Sequence, residues 1–229
     1  MPHRIIITVT GPSMDEALRY AERADVIASL YPQHKFLLEY RLDMINRPDI
    51  RRLFRSSALG TIATNRHKAE SGGKGGFDGP ESERFRRLQE AVDSGANFVD
   101  AELDYFGQVT LGRAELIASH HNFQYTPTDM EDRVRQMKDI GASVAKIAVM
   151  PKTEDDNNSV LLLVEKMHSE IPTIGIAMGE LGQRTRYQTP LVGGFATYAC
   201  LDKEKAIAGQ MTVDQLIEKW EKSKLTKPV

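Results

Sequence analysis

The sequence has little of what several classes of protein require. Its 229 residues include a single cysteine, Cys200, which excludes an intrachain disulfide framework and argues against a cysteine-based zinc site. No apolar run approaches the roughly 20 residues of a membrane-spanning helix, and the longest are short, such as Val160–Val164. The first residues, Met1–Arg4, lead directly into an apolar stretch without a signal-peptide cleavage region. We therefore expect a cytoplasmic protein.

Charge of one sign is not in excess, and nucleotide-binding motifs are missing. The chain has 30 Lys+Arg and 32 Asp+Glu, a net charge of −2, so we expect neither a nucleic acid nor a membrane as a partner. The turn Gly11–Met14 is no dinucleotide fingerprint. The segment Ser71–Gly79 has five glycines in nine residues but lacks a Gly-Lys-Ser/Thr ending, which excludes a P-loop. This segment is either a plain mobile connection or a lid over a site.

Short apolar stretches alternate with longer stretches of helical spacing along the whole chain. The helical stretches include Ser13–Leu30, with Ser13 as N-cap and Glu16 as its capping-box partner, about Pro80–Ser94, one that starts near Thr128, and Val213–Lys222. Eight other stretches are typical of strands: Arg4–Gly11, Lys35–Asp43, Gly60–Asn65, Phe98–Asp104, Leu116–His121, Ala145–Pro151, Thr173–Met178 and Gly194–Leu201.

This order predicts the α/β class and a parallel sheet, because parallel neighbours need crossover connections. Eight such units close most simply into a (β/α)₈ TIM barrel, and an open doubly wound sheet is the alternative. No repeat or linker divides the chain. We therefore predict a single barrel domain over residues 1–229.

Several predicted strands contain charged side chains, although buried charge is costly unless it is paired. Side chains two apart share a strand face, so Glu39 and Arg41 point together, and Asp100 and Glu102 do the same. Their apolar neighbours suit the outer helices, which leaves the charged sets for the barrel lumen. One such pair could be a structural ion network, but charge from five strands or strand ends favours a functional site. The predicted lumen set is Glu39, Asp100 and Glu102 opposite Arg41, Arg66 and Lys146.

Two kinds of residue in the predicted strands suit covalent and acid–base chemistry. Lys146 stands in an otherwise apolar strand. Near cations in a lumen its charged form is disfavoured, and a neutral amine attacks carbonyl groups; alternatively its side chain reaches solvent from the strand's start. His120 and His121 are adjacent and point opposite ways in a strand, so at most one enters the lumen as a general acid or base.

Taken in order, these segments resemble the type I 3-dehydroquinate dehydratases. No single motif is decisive, but their order and spacing together are specific. The matching segments are Glu39–Asp43 (E-x-R-x-D), Arg66–Gly73 (an arginine, three residues, Glu70, then Gly-Gly after an inserted serine), Asp100–Leu103, Ser119–Pro127 (S-x-H-x-F…T-P), Lys146–Pro151, Met178–Arg186 (M-G…[ST]-R) and Gly209–Gln210.

The resemblance implies a hydro-lyase of the shikimate pathway of aromatic amino acid biosynthesis that converts 3-dehydroquinate to 3-dehydroshikimate and water. It implies that Lys146 forms a Schiff base, that His121 is the acid–base group and that Glu70 orients His121. No cofactor or metal is expected. The expected partners are the small-molecule substrate and, in a homodimer, a second copy of the chain. The substrate-binding residues it implies are Glu39, Arg41, Arg66, Met178, Gln210 and, for the carboxylate, Arg186.

One segment departs from the family, and two other functions stay open. Residues 206–210 read AIAGQ where the family has SAPGQ, so Ala206 predicts weaker substrate binding and the lost proline a more mobile segment. Another class I lysine-dependent barrel enzyme, such as an aldolase, would share Lys146. Sugar-phosphate aldolases also need a phosphate site, a role that Arg186 could fill. A non-catalytic binding barrel is disfavoured because Lys146, His121 and Glu70 occur together.

Overall fold

The computed structural model describes residues 2–105 and 109–225. It contains nine strands and seven α-helices that alternate for most of the chain, as predicted. The strands are β1 (Arg4–Val9), β2 (Lys35–Arg41), β3 (Gly60–Thr64), β4 (Phe98–Glu102), β5 (Glu115–Asn122), β6 (Val144–Val149), β7 (Thr173–Ala177), β8 (Thr197–Cys200) and β9 (Met211–Thr212). The helices are α1 (Met14–Leu30), α2 (Ile50–Leu53), α3 (Glu81–Asp93), α4 (Met130–Asp139), α5 (Glu154–Met167), α6 (Gln183–Gln188) and α7 (Val213–Leu225).

All the strands are parallel and lie in one curled sheet. Its order is β7-β6-β5-β4-β3-β2-β1-β8-β9, so β8 pairs with β1 as in a closed barrel. At the remaining seam between β7 and β8, the N–H of Phe195 donates to the carbonyl of Thr173 (2.9 Å). The predicted (β/α)₈ barrel is confirmed, and the short strand β9 is an addition that the sequence did not predict.

Local sequence signals place several helix ends. The predicted N-cap is confirmed, since the Ser13 hydroxyl accepts from the N–H of Glu16 (3.3 Å) at the start of α1. A full capping box between Thr153 and Asp156 begins α5, and the Thr-x-x-Asp spacing in the sequence is the signal for it. Among the described residues, no helix combines the length and the apolar character needed to cross a membrane.

Side chains along the strands point alternately outward to the helices and inward to the lumen, as predicted. On β2, Leu38 and Tyr40 belong to an outer core that includes residues of α1 and α7. On β6, Ile147 packs outward with residues of α4 and α5. The inward apolar side chains form a separate cluster that includes Ile6 and Ile174. The barrel therefore has an apolar lumen layer, and the charged residues of the strands share its inner face.

Candidate active site

A cavity of about 220 Å³ is lined by residues of six strands and of the loops that follow them. It lies where barrel enzymes place their active sites, at the C-terminal ends of the strands. All nine predicted site residues line this cavity, whereas Asp100 and Glu102 lie buried outside its lining. The nine are Glu39, Arg41, Arg66, Glu70, His121, Lys146, Met178, Arg186 and Gln210.

Lys146 is buried inside the barrel and bound by residues of two other strands. It is 4% exposed, so the alternative in which its side chain reaches solvent is wrong. Its Nζ donates to Asp100 on β4 (2.8 Å) and to the hydroxyl of Tyr198 on β8 (3.0 Å), and a Glu39 oxygen lies 3.8 Å away. The predicted arrangement of acids opposite Lys146 is thus present, and a cation lies close by, since Arg66 binds the other oxygen of Asp100 (3.1 Å).

The buried charges next to Lys146 are fully paired. Asp100 also accepts from the Ser119 hydroxyl (2.7 Å). Burial by itself would raise the pKa of Asp100, but Arg66 and Lys146 outweigh burial and lower it. Glu102 accepts from Arg66 (2.9 Å) and from Arg84 of α3 (2.8 Å). This pairing offsets the cost of removing the charges from water and fixes the amine on the cavity wall.

His121 and Glu70 form a hydrogen-bonded pair at the end of β5. One oxygen of Glu70 lies 3.0 Å from the His121 Nδ1 and also accepts the backbone N–H of His121 (2.8 Å). Burial opposes ionisation of Glu70, but His120, His121 and Arg66 outweigh it and lower its pKa to about 2. Glu70 is therefore ionised and can only accept, so Nδ1 carries the proton and Nε2 is left to act on a ligand.

His120 points away from the cavity, as the strand alternation predicted, because His121 lines the cavity and His120 does not. Its Nδ1 lies 3.7 Å from the second oxygen of Glu70 and 3.8 Å from Asp104. Ligand atoms of these three residues lie close enough together to hold a metal ion. However, the Arg133 guanidinium is 3.5 Å from His120 and 3.8 Å from Asp104, and it already supplies positive charge there.

Arg186 on α6 is buried without a carboxylate beside it. Burial lowers the pKa of Arg186 to about 10, and none of the described carboxylates forms an ion pair with its guanidinium to oppose this effect. One Nη donates to the Ala208 carbonyl, and the Nε has no hydrogen-bond partner within the described part of the chain. A planar guanidinium left in this state is suited to bind an anionic group of a ligand.

The segment that departs from the family pattern lies against Arg186. Ile207 and Ala208 line the cavity but Ala206 does not, so the structure does not support the predicted loss of a substrate contact at Ala206. Ala208 adopts φ +49°, a left-handed conformation that proline cannot take. Gln210 donates to the Thr8 hydroxyl (2.9 Å). The absence of the family proline thus accompanies a local backbone turn that brings the Ala208 carbonyl to Arg186.

The glycine-rich segment 71–79 forms tight turns that pack against the barrel, and is not an extended connection. Gly72, Gly73, Gly75 and Gly76 have positive φ angles, which allow tight turns that other residues disfavour. A Cβ on Gly72 would lie 2.4 Å from the Phe123 ring, so the segment packs closely on the barrel. Gly72 and Lys74 line the cavity, as a lid would require; motion of the segment remains a prediction.

Tyr198 was missed by the sequence analysis. Its ring centre lies 4.3 Å from the Lys146 Nζ, and burial raises the pKa of Tyr198 well above its ordinary value. The hydroxyl therefore keeps its proton beside the amine. Alternation within the predicted eighth strand could have placed it, because Ala196 and Tyr198 share the inward face.

Comparisons with known proteins identify the family to which the chain belongs. The type I 3-dehydroquinase family model matches residues 5–225. The 3-dehydroquinate dehydratase of Methanopyrus kandleri is 36% identical over 222 residues, 92% of this chain and 95% of that protein. A bifunctional 3-dehydroquinate dehydratase/shikimate dehydrogenase of Arabidopsis thaliana is 32% identical over 95% of this chain and 36% of its own length.

A solved structure gives the same result for the fold. The 3-dehydroquinate dehydratase of Geobacillus kaustophilus superposes with a TM-score of 0.83 at 27% identity, covering 100% of this chain and 93% of that one. The match by the family model and by relatives over nearly the full chain is independent of the cavity geometry. The chain therefore belongs to the type I 3-dehydroquinase family of hydro-lyases.

Proposed function

We propose that this chain dehydrates 3-dehydroquinate to 3-dehydroshikimate and water through an imine on Lys146. The observation that carries the proposal is one cavity that contains a buried lysine, a histidine oriented by a carboxylate and an arginine without an anionic partner. The direct test is formation of the conjugated enone product, followed by ultraviolet absorbance. No absorbance change with purified protein and 3-dehydroquinate would contradict the proposal.

In the proposed reaction, Lys146 reacts as the neutral amine, and Asp100 (2.8 Å), which Arg66 also binds, stays ionised beside the iminium charge that forms. The amine attacks the C3 carbonyl carbon. One amine hydrogen and the proton that the lysine ammonium gave up end on the carbonyl oxygen, which leaves as water as the iminium forms. The iminium withdraws electrons, so the neighbouring C2 proton becomes removable. His121 takes that proton through Nε2 and returns it to the leaving C1 hydroxyl, which departs as water. Hydrolysis of the imine regenerates Lys146.

The pH dependence should reflect the environment of His121. Burial, Arg66 and Lys146 hold the pKa of His121 well below 6.5 and outweigh the opposing effect of Glu70. Because a group with a depressed pKa gains its proton only in more acidic solution, the free enzyme keeps a neutral base at neutral pH. We expect kcat/KM to stay level as the pH falls through 6.5 and to decline only below it.

NMR titration of the His121 ring protons provides the check on that profile. The His121 signals should move below pH 6.5, in the same range as the acid limb of kcat/KM. An acid limb at or above pH 6.5 that coincides with titration of His121 would contradict the proposed role of burial.

Arg186 is proposed to bind the substrate carboxylate. Its buried guanidinium, whose Nε has no hydrogen-bond partner among the described residues, supports this role. Arg186→Gln should raise KM about 10- to 100-fold, because a hydrogen bond to a charged group contributes about 1.5–3 kcal/mol. Turnover should change less if the contact is the same in the ground and transition states. Initial rates over a range of substrate concentrations measure both constants.

Arg184 offers a matched control for this prediction. It lies two residues earlier on α6, but its guanidinium pairs with Glu154 at the surface (2.8 Å). Arg184→Gln should leave KM within about twofold, since surface ion pairs contribute little. Equal effects of the two substitutions would place the carboxylate elsewhere.

The proposed function accounts for the cavity better than a sugar-phosphate aldolase would. Arg41 and Arg66 line the cavity but are bound to Asp43 and Glu102. Among the described arginines of the lining, only Arg186 has no carboxylate partner. One unpaired arginine suits a carboxylate better than a phosphate dianion.

A single catalytic domain, a cytoplasmic location and a homodimer remain predictions. Light scattering of the purified protein tests the homodimer.

A further inference from the structure

We infer that Asp43 is a positioning residue for the reaction: it clasps both ends of the loop that carries Glu70, and so holds the glutamate against His121. The inference rests on the proposed function, in which His121 is the acid–base group. Asp43 itself does not line the cavity. Any effect of Asp43 on turnover must therefore come from the positions of other residues that it holds.

The Asp43 side chain is buried and accepts four hydrogen bonds. It follows β2, and its side chain is 0% exposed. Two bonds come from the Arg41 guanidinium (2.9 and 2.7 Å). The other two come from backbone N–H groups, that of Arg66 (3.2 Å) and that of Gly76 (2.8 Å). Burial opposes ionisation, but Arg41 and these N–H groups outweigh it and lower the pKa of Asp43.

The two backbone N–H donors lie at opposite ends of one loop. The N–H of Phe77 donates to the carbonyl of Arg66 (2.7 Å), and His67 forms a bridge with Phe77. Residues 66–77 thus form a loop whose two ends lie side by side at the barrel. The Asp43 carboxylate binds the backbone of both ends. A charged carboxylate that accepts from backbone N–H groups forms stronger bonds than a neutral acceptor.

Between its ends, this loop contacts His121 directly through Glu70 and contacts Phe123, which stacks on His121. Glu70 binds the Nδ1 of His121 (3.0 Å). Gly72 lies against the ring of Phe123, and that ring stacks on His121 at 6.2 Å between centres and 13° between planes. If the two ends of the loop separated, the Glu70 carboxylate that orients the base would be misaligned. Displacing a catalytic or orienting group by about 1 Å lowers the rate up to about 10²-fold.

The test is Asp43→Asn, which keeps the size of the side chain but removes its charge and turns an amide N–H₂ toward the donors. We expect kcat to fall about 10- to 100-fold, while borohydride with substrate still labels Lys146, because the imine does not require the loop. The matched control is Asp78→Asn, an acid one residue beyond the loop that pairs with Lys68 at the surface. Its kcat should stay within about twofold of the wild type.

A double-mutant cycle separates this role from a merely structural one. If Asp43 acts through Glu70, then Asp43→Asn should change kcat less than about twofold when Glu70→Gln is already present. A full additional loss in that background, or no loss of kcat in the single variant, would overturn the inference.

Amide hydrogen exchange of the wild-type protein tests the clasp without any variant or activity. The amides of Arg66 and Gly76 should be protected and should open together, since one carboxylate holds both. Independent exchange of the two amides would overturn the inference even if Asp43→Asn failed to fold. If the wild type lacked dehydratase activity, the proposed function would fail, and hydrogen exchange would still decide whether the clasp exists.

Discussion

Replacing Lys146 with methionine should abolish turnover, with a loss of about 10⁶-fold, the size reported when an enzyme loses a covalent nucleophile. The side chain of methionine fills a similar space without an amine. Asp100 would lose one donor but keep Arg66 (3.1 Å) and Ser119 (2.7 Å), so its charge would stay paired and the barrel should fold. Product absorbance and far-ultraviolet circular dichroism measure the two outcomes.

Chemical trapping identifies the nucleophile directly. Borohydride added with substrate should inactivate the wild-type enzyme and leave a stable adduct on the peptide that contains Lys146. Lys74 is the informative competitor, because it also lines the cavity, whereas Lys68 pairs with Asp78 at the surface. Lys74→Ala should still be labelled at Lys146. An adduct mapped to Lys74 or Lys68 would contradict the proposed chemistry.

The barrel and the direction of its side chains could be predicted because both depend on local periodicity. Charged residues at every second position of β2 and β4 could face only the lumen, since their apolar neighbours had to cover the outer helices. The same alternation separated His120 from His121. Closure into a barrel followed from eight strands joined by crossovers. The resemblance to the family, and not the periodicity, placed Glu70, Met178, Arg186 and Gln210 in the site, and all nine predicted site residues line one cavity.

What the sequence could not predict depends on distances across the barrel. Lys146 has Asp100 and Tyr198 as direct partners because β4, β6 and β8 contribute to one layer of the lumen. Arg66 is the cation near the amine, because both bind Asp100. No local pattern fixes which of the predicted acids contacts the amine directly. The folding of segment 71–79 was also hidden, because a glycine-rich composition permits both a mobile loop and a series of tight turns.

Replacing the acid–base group should also lower turnover strongly. His121→Ala should lower kcat by about 10²–10⁴-fold, the range for removal of a general acid–base group. The imidazole lies in the cavity with its Nδ1 bound to Glu70 (3.0 Å), so only its Nε2 can accept the C2 proton. Imine formation does not need that step, and borohydride should therefore still trap substrate on Lys146 in this variant.

His120→Ala is the matched control, since His120 is adjacent in sequence and also lies near Glu70, at 3.7 Å. Its ring faces Asp104 and Arg133 rather than the cavity, so it cannot reach the C2 proton. We expect it to retain kcat within about tenfold, because Glu70 keeps both hydrogen bonds to His121. A greater loss for His120→Ala than for His121→Ala would mean that the base approaches from the other face of β5. A loss of imine trapping in His121→Ala would instead place the histidine in the formation of the imine, before the proton is removed.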